Sequence, residues 1–443
     1  MAGLAATARA AQNCAMSNTA LLAAVATRRD ELITLTQDLI RIPTLNPPGL
    51  HYREICDYLA DRLKTRGFTV ELIRAHGAPA DSDKYPRWNL VARFESGPGE
   101  CVHFNSHHDV VAVGHGWTRD PFGGELVVSA EDGGRIYGRG ACDMKGGLAA
   151  SIIAAEAFLD TYPTFNGAIE ISATADEESG GYGGVAYLAE QGYFSPDRVQ
   201  HVIIPEPLNK DRICLGHRGV WWAEIETQGR IAHGSMPFLG DCAIRHMGAV
   251  LEEMEASLFP LLATKRTDMP VVPEGAKQST ININSIHGGE PVPEDGFTGF
   301  PAACVPDRCK ITIDRRYLIE ENADEVRAEI VAVLEKVKSE RPEFSYELNE
   351  LWTVPPTMTD RDAPIVKTVA AAITKVLGTQ AEFVVSPGTY DQKHIDRIGK
   401  LKNCIAYGPG ILDLAHQPDE WVGVQDMEDS AKVMALTLAE LLL

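Results

Sequence analysis

Ala168-Ile-Glu-Ile-Ser-Ala-Thr-Ala-Asp-Glu-Glu-Ser-Gly-Gly181 begins as a strand-like stretch and ends in an acidic turn closed by glycines. Glu177 and Glu178 stand side by side just past the strand. Adjacent carboxylates repel unless a cation or a proton lies between them. A pair at a strand's end therefore reads as one acid for a metal and one for moving protons. Open parallel sheets gather their ligands at the carboxyl ends of their strands, so this stretch also sets the fold expected around it.

Working outward, strand-like and helix-like segments alternate. Strands are expected over Thr69–Arg74, Asn89–Phe94, Glu100–Asn105, Gly167–Thr174 and His201–Ile204, with a helix over Lys145–Leu159. Helices are also expected around Leu32, Leu35, Leu39 and Ile40 and over Tyr52–Arg66. The alternation predicts an α/β domain with a largely parallel sheet. After Gly216 the pattern changes to strand Val220–Thr227, helix Asp241–Leu258, strands Ser279–Ile286 and Arg308–Arg315, a helix capped by Asn322 with Glu325 three residues on, and strand Phe344–Leu351. That β-α-β-β-α-β order predicts a ferredoxin-like α+β unit inserted into the larger domain. The expected division is 1–18 as a disordered extension (with Met16 as an alternative start and an organellar transit segment as an alternative reading), 19–216 with 354–443 as the catalytic domain, and 217–353 as the insert. Met269–Lys277 and Gly288–Pro306 read as long surface loops.

At 443 residues the chain exceeds what one core organises, so two domains are expected. A formal net charge of −21 opposes binding to nucleic acid or anionic membrane. The sequence contains no apolar run long enough to span a bilayer. Nine scattered cysteines without a C-x-x-C pair predict reduced thiols and a cytoplasmic protein.

The other metal-ligand types fall at the same kind of position. His107-His108-Asp109 follows one strand; Asp143 sits in the glycine-rich turn Tyr137-Gly-Arg-Gly-Ala-Cys-Asp-Met-Lys-Gly-Gly147; Glu206 follows Val202-Ile-Ile-Pro205; His416 opens His416-Gln-Pro-Asp-Glu420. Imidazole and carboxylate without thiolate suit zinc, and also cobalt or manganese. Taken singly these residues also have plainer readings. Asp143 would serve as a helix cap, Glu206 as a turn residue, His108 and His103 as packing, and Trp221-Trp222 as strand core.

Together the blocks Ser106–Val111, Trp117–Phe122, Tyr137–Gly147, Thr174–Glu178, Glu206-Pro207, His233-Gly-Ser235 and His416–Glu420 resemble the co-catalytic zinc deacylase/carboxypeptidase family. That family includes acetylornithine deacetylase, succinyl-diaminopimelate desuccinylase, aminoacylase-1 and carboxypeptidase G, and the chain is most similar to the deacetylase and desuccinylase branch. The resemblance implies a phosphorylase/hydrolase-like catalytic domain with an inserted dimerisation or lid domain. It implies two divalent metal ions, zinc first, with His107 and Glu206 on one, Glu178 and His416 on the other, and Asp143 bridging. Asp109 would orient His107, and a cis peptide would follow Asp143. Glu177 would be the general base acting on a metal-bridged water, and His233, supplied by the partner of a homodimer, would meet the oxyanion. Arg316, Asn282, Gly388 and Thr389 would bind the substrate, though Arg316 has the alternative of pairing with Asp314 in the sheet. The implied reaction is hydrolysis of the amide of a small N-acyl amino acid; the alternative is a carboxypeptidase or dipeptidase with the same centre, and a non-catalytic binding protein is disfavoured because no expected ligand is missing. Two departures stand out: Ala112 where the family has proline, and Ser386-Pro-Gly-Thr-Tyr-Asp391 where desuccinylases have Gly-Gly-Thr-Ser.

Overall fold

Hydrophobic strands flanked by helices fold here into two units, and the computed structural model describes residues 18–289 and 303–443 except 129, 131 and 132. The expected N-terminal extension up to residue 17, and residues 290–302 of the expected Gly288–Pro306 loop, lie outside the described residues. The first unit comprises residues up to Gly216 together with Thr359–Val384 and Tyr390–Leu443; the second comprises His217–Met358 and Val385–Thr389.

The first unit is built on a mixed sheet. Seven of its strands run in the order Thr69–Arg74, Trp88–Glu95, Ala168–Thr174, Cys101–His107, His201–Ile204, Cys404–Ala406, Arg212–His217, and Glu382–Ser386 also pairs with the last of these. Ala168–Thr174, Cys101–His107, His201–Ile204 and Cys404–Ala406 form the parallel centre, and the flanking pairs are antiparallel. Every residue of Cys101–His107 and Ala168–Thr174 is buried, as expected of strands covered on both faces. Helix Gly146–Thr161 is buried from Gly146 to Leu159, which explains why its apolar residues surround it instead of forming a stripe. It packs against the C-terminal helix Val424–Leu442.

Two features depart from the expected elements. The Cys101 strand reaches His107, because His107 pairs with Thr174 at the end of the parallel ladder. His107 is thus the last strand residue and not the first of a loop. A small antiparallel sheet of Glu125–Val127, Arg135–Tyr137 and Trp421–Gly423 also forms. Three-residue strands are too short to show a period in sequence.

The second unit has the ferredoxin-like layout: antiparallel strands in the order Thr280–Gly288, Arg308–Tyr317, Gly219–Gln228, Ser345–Val354. Its helices are Ala243–Glu253, continued through Met254–Leu258 to Thr264, and Ala323–Glu340. Asn322 caps the latter, its side chain accepting from the Glu325 amide at 2.9 Å. Trp221, Ile225, Met247, Ile311, Ile330 and Leu334 lie in one buried core. Met269–Lys277 is not simply a surface loop. Met269 and Val271 are buried, and Val271 bridges to Val385. The buried Arg218 guanidinium donates to the carbonyls of Ala276, Gln278 and Pro387. Its apolar residues hold that segment down although its prolines and glycine suggest a loop.

Candidate metal centre

Strand ends and the turns after them bring five side chains of the first unit together. His107, Asp143 and Glu206 form one group, and Asp143, Glu178 and His416 another, the donor atoms of each lying within 4.8 Å of one another. Asp143 belongs to both. Its Oδ1 is 3.0 Å from His107 Nε2, and its Oδ2 is 3.5 Å from His416 Nε2. His107 Nε2 lies 4.0 Å from Glu206 Oε1, and His416 Nε2 lies 3.1 Å from Glu178 Oε2.

The turn that presents Asp143 is held from behind. Glu420 Oε1 accepts from the amides of Gly140, Cys142 and Asp143 at 3.1, 2.8 and 3.0 Å. Its Oε2 is paired with Arg139, which also donates to the His416 carbonyl at 3.1 Å. Arg139 and Glu420 therefore tie Asp143 to the His416 loop. Gly140 has φ +87°, a conformation that glycine adopts without a side-chain penalty. A Cβ on Gly147 would run into the Pro205 carbonyl oxygen, so a glycine there lets the helix start close to the Glu206 segment. The Asp143-Met144 peptide is cis.

Asp109 connects the two halves of the centre. His107 Nδ1 donates to the Asp109 carbonyl at 3.0 Å, with the Asp109 carboxylate 3.6 Å away. That carboxylate accepts from the amides of Glu177 and Glu178 at 3.1 and 3.2 Å and from Asn46 at 2.8 Å. Backbone, more closely than carboxylate, thus directs the imidazole, while the carboxylate fixes the acidic turn. Glu177 Oε1 accepts from Lys393 Nζ at 3.0 Å.

The electrostatics suit cations. Burial, with Asp143 nearby, pushes Glu206 well above the usual carboxylate range, and burial lifts Glu178 to about 8. The hydrogen bond to Glu178 holds His416 up at about 9. Burial opposes charge on His107, yet Asp109 and Asp143 raise it well above the ordinary value. Protons thus fill the place of positive charge, and divalent ions bind such sets by displacing them. The donors, two imidazoles and three carboxylates, fit divalent metals. Cys142, next to Asp143, does not compete: its Sγ donates to the Ile411 carbonyl at 3.2 Å, and burial pushes the thiol well up.

Neighbouring histidines are packing groups. His108 Nε2 donates to the Trp88 carbonyl at 2.9 Å, and burial lowers it to about 4, so it is neutral. His103 is buried with Nε2 2.7 Å from Ser172. The remaining expected residues lie in the second unit. Arg316 makes a two-point pair with Asp314 at 2.7 and 3.0 Å, and Asn282 donates to Asn284 at 2.6 Å. His233 is exposed; its Nδ1 accepts from the Ser235 amide at 3.2 Å, which leaves the proton on Nε2. Gly388 donates to Ser386 Oγ at 3.2 Å, and Thr389 follows it in the same segment. Glu420, Arg139 and Lys393 were not singled out from the sequence. Glu420 closes a block already read for His416, whereas nothing local marks Lys393.

A sheet end carrying two ligand groups that share one carboxylate, with a further carboxylate beside them, fits a metal-dependent hydrolase, and the family match makes the chain one. The chain belongs to peptidase family M20/M25/M40, which it matches over residues 103–440. It is 31% identical over 407 residues to a succinyl-diaminopimelate desuccinylase of Methylorubrum extorquens, covering 89% of this chain and 95% of that one. It is 29% identical over 408 residues to the enzyme of the same name from Methylobacterium radiotolerans, covering 90% and 94%. In fold it is similar to human carnosine dipeptidase 1 (TM-score 0.73, 19% identity, 96% and 98% covered). The same holds for the metallo-carboxypeptidase Sso-CP2 from Sulfolobus solfataricus (TM-score 0.71, 19% identity, 92% and 98% covered).

Proposed function

We propose that this metal-dependent amide hydrolase acts on small N-acyl amino acids, with an N-succinyl amino acid as the first candidate. The carrying observation is Asp143 standing in both ligand groups with Glu177 directly beside Glu178. The relatives at 27–31% identity are desuccinylases, which favours a carboxylate-bearing acyl group.

Two zinc ions fit the donors best: His107, Asp143 and Glu206 would hold one, and Asp143, Glu178 and His416 the other. When bound, such ions polarise the amide carbonyl and make water acidic near neutral pH. Glu177 takes the proton of the attacking water and delivers it to the leaving nitrogen. Asp109 keeps the Glu177–Glu178 turn and His107 in register. His233, with its proton on Nε2, donates to the developing oxyanion. Its place in the insert makes a homodimer, in which it serves the partner's centre, part of the reading. Arg316 and Asn282 receive the substrate's carboxylate, Arg316 by exchanging its two-point partner Asp314 for it, and Gly388 and Thr389 line the substrate's pocket. Scattered cysteines without a C-x-x-C pair are in keeping with a cytoplasmic enzyme.

The test is turnover of N-succinyl-diaminopimelate, N-acetyl-ornithine, N-acetyl and N-formyl amino acids and dipeptides by zinc-loaded protein, with a chelated control. Chelator-sensitive hydrolysis of one acyl class supports the reading; cleavage of dipeptides alone would replace it with a peptidase. Glu177→Gln should keep both metals and lose about 10²–10⁴-fold in kcat. Near-normal turnover in that variant would remove Glu177 as the base.

A further inference from the structure

Lys393 is buried on the first turn of helix Gln392–Arg397, and its Nζ lies 3.0 Å from Glu177 Oε1. Its side chain is 2% exposed and that of Glu177 12%. A lysine is rarely so buried without a counter-charge. Among the described residues Glu177 is the carboxylate it pairs with.

The helix carrying Lys393 is locked in place. Gln392 is buried and donates to the carbonyls of Leu215 and Cys404 and to Thr359 Oγ1 at 3.2, 3.0 and 3.0 Å. It accepts from Tyr390. The next residue, His394, donates Nε2–H to the Gly180 carbonyl at 2.7 Å. The helix therefore grips the acidic turn at two points, the side chain of Glu177 and the backbone of Gly180. From the other side, the Asp109 carboxylate grips the amides of Glu177 and Glu178. The backbone of the turn is thus already fixed without Lys393. What Lys393 adds is the orientation of one carboxylate.

We propose that Lys393 is the positioning residue of the general base: its ammonium pins Oε1 of Glu177 and leaves Oε2 as the oxygen that exchanges the proton. The proposal rests on the reading of Glu177 as base. A free glutamate samples several side-chain rotamers. A pinned one presents a single oxygen in a single direction, and reactions that depend on near-attack geometry lose about 100-fold for a misplacement of about 1 Å. Among the described residues the Lys393 ammonium hydrogen-bonds Glu177 and none of the five candidate ligands, so its effect is expected in turnover before metal binding.

The experiment compares wild type, Lys393→Met, Lys393→Arg, Glu177→Gln and the Lys393→Met/Glu177→Gln double variant, all zinc-loaded. Metal content, melting temperature, kcat and KM are measured for each. Lys393→Met should lose about 100-fold in kcat with KM within about threefold and both metals retained. Lys393→Arg, which keeps a donor to the carboxylate, should recover at least about tenfold of that loss. In the Glu177→Gln background, Lys393→Met should change kcat little further, since the two act through one group. If Glu177→Gln itself turns over normally, the base assignment fails and this proposal with it. If Glu177→Gln is inactive while Lys393→Met stays within about threefold of wild type, the base stands and the proposal is overturned. Loss of metal or of melting temperature in step with kcat across both Lys393 variants also overturns it, leaving a structural ion pair.

Discussion

Asp109 shows how much one side chain of this centre does. Its carbonyl orients His107, and its carboxylate holds the two amides of the acidic turn and Asn46. Asp109→Asn keeps the carbonyl and weakens the acceptors on the turn. Loss of a group that orients a ligand costs about 10–100-fold in metal affinity, and with the carbonyl retained the lower end is expected at the His107 site. The turnover number should fall further than the affinity, because Glu177 sits on the loosened turn. Metal titration of the apo protein beside steady-state kinetics measures both; equal losses would mean that the carboxylate acts on His107 alone. His107 itself was legible from sequence through its place before Asp109. The division of labour within Asp109 was not, because backbone and side chain of one residue are indistinguishable there.

At the scale of elements, the centre depends on how one turn and two strands are fastened. Arg139 and Glu420 are both buried and paired, and Glu420 collects three amides of the Asp143 turn. Glu420→Ala would leave a buried guanidinium without its partner, a change that costs about 3–5 kcal/mol. Chemical denaturation should report that loss, and metal analysis should show both sites weakened, since Asp143 stands in both. Unchanged metal content in a folded Glu420→Ala protein would refute the clamp. Glu170, in the middle of strand Ala168–Thr174, gives the pH dependence. Burial pushes its carboxyl up, but His103, 3.1 Å away, and Arg198, 2.6 Å away, pull it down to about 2. A carboxyl lowered on folding contributes stability that is present above its unfolded value of 4.5 and lost as the pH falls towards 2. The contribution is on the order of 3 kcal/mol. Denaturation between pH 5 and 2 should therefore be flatter for Glu170→Gln than for wild type, and parallel slopes would exclude Glu170 as a source of acid lability. The strand was readable from its apolar residues. Its charged partner Arg198 was not, because it arrives from 28 positions away.

For the whole molecule, metal removal is the informative perturbation. All five candidate ligands lie in the first unit and none in the second. Ligand binding to the folded state alone stabilises by about 4 kcal/mol at a thousandfold excess over Kd. Chelation should then lower the melting temperature by several degrees, read by calorimetry of the metal-loaded and chelated protein. A metal-independent melting curve would show that the ligand groups do not bind tightly.

The amino-acid order by itself determined the alternating α/β elements, the inserted β-α-β-β-α-β unit and the residue types of the metal centre. Each of these is written locally, in apolar periodicity or in a polar residue placed just beyond a strand. The tertiary structure alone decided that Glu420 and Arg139 fasten the Asp143 turn and that Lys393 meets Glu177 from 216 positions along the chain. Those relations depend on which strand ends lie side by side in the sheet, and strand order is set by packing of the whole unit, which no local stretch records.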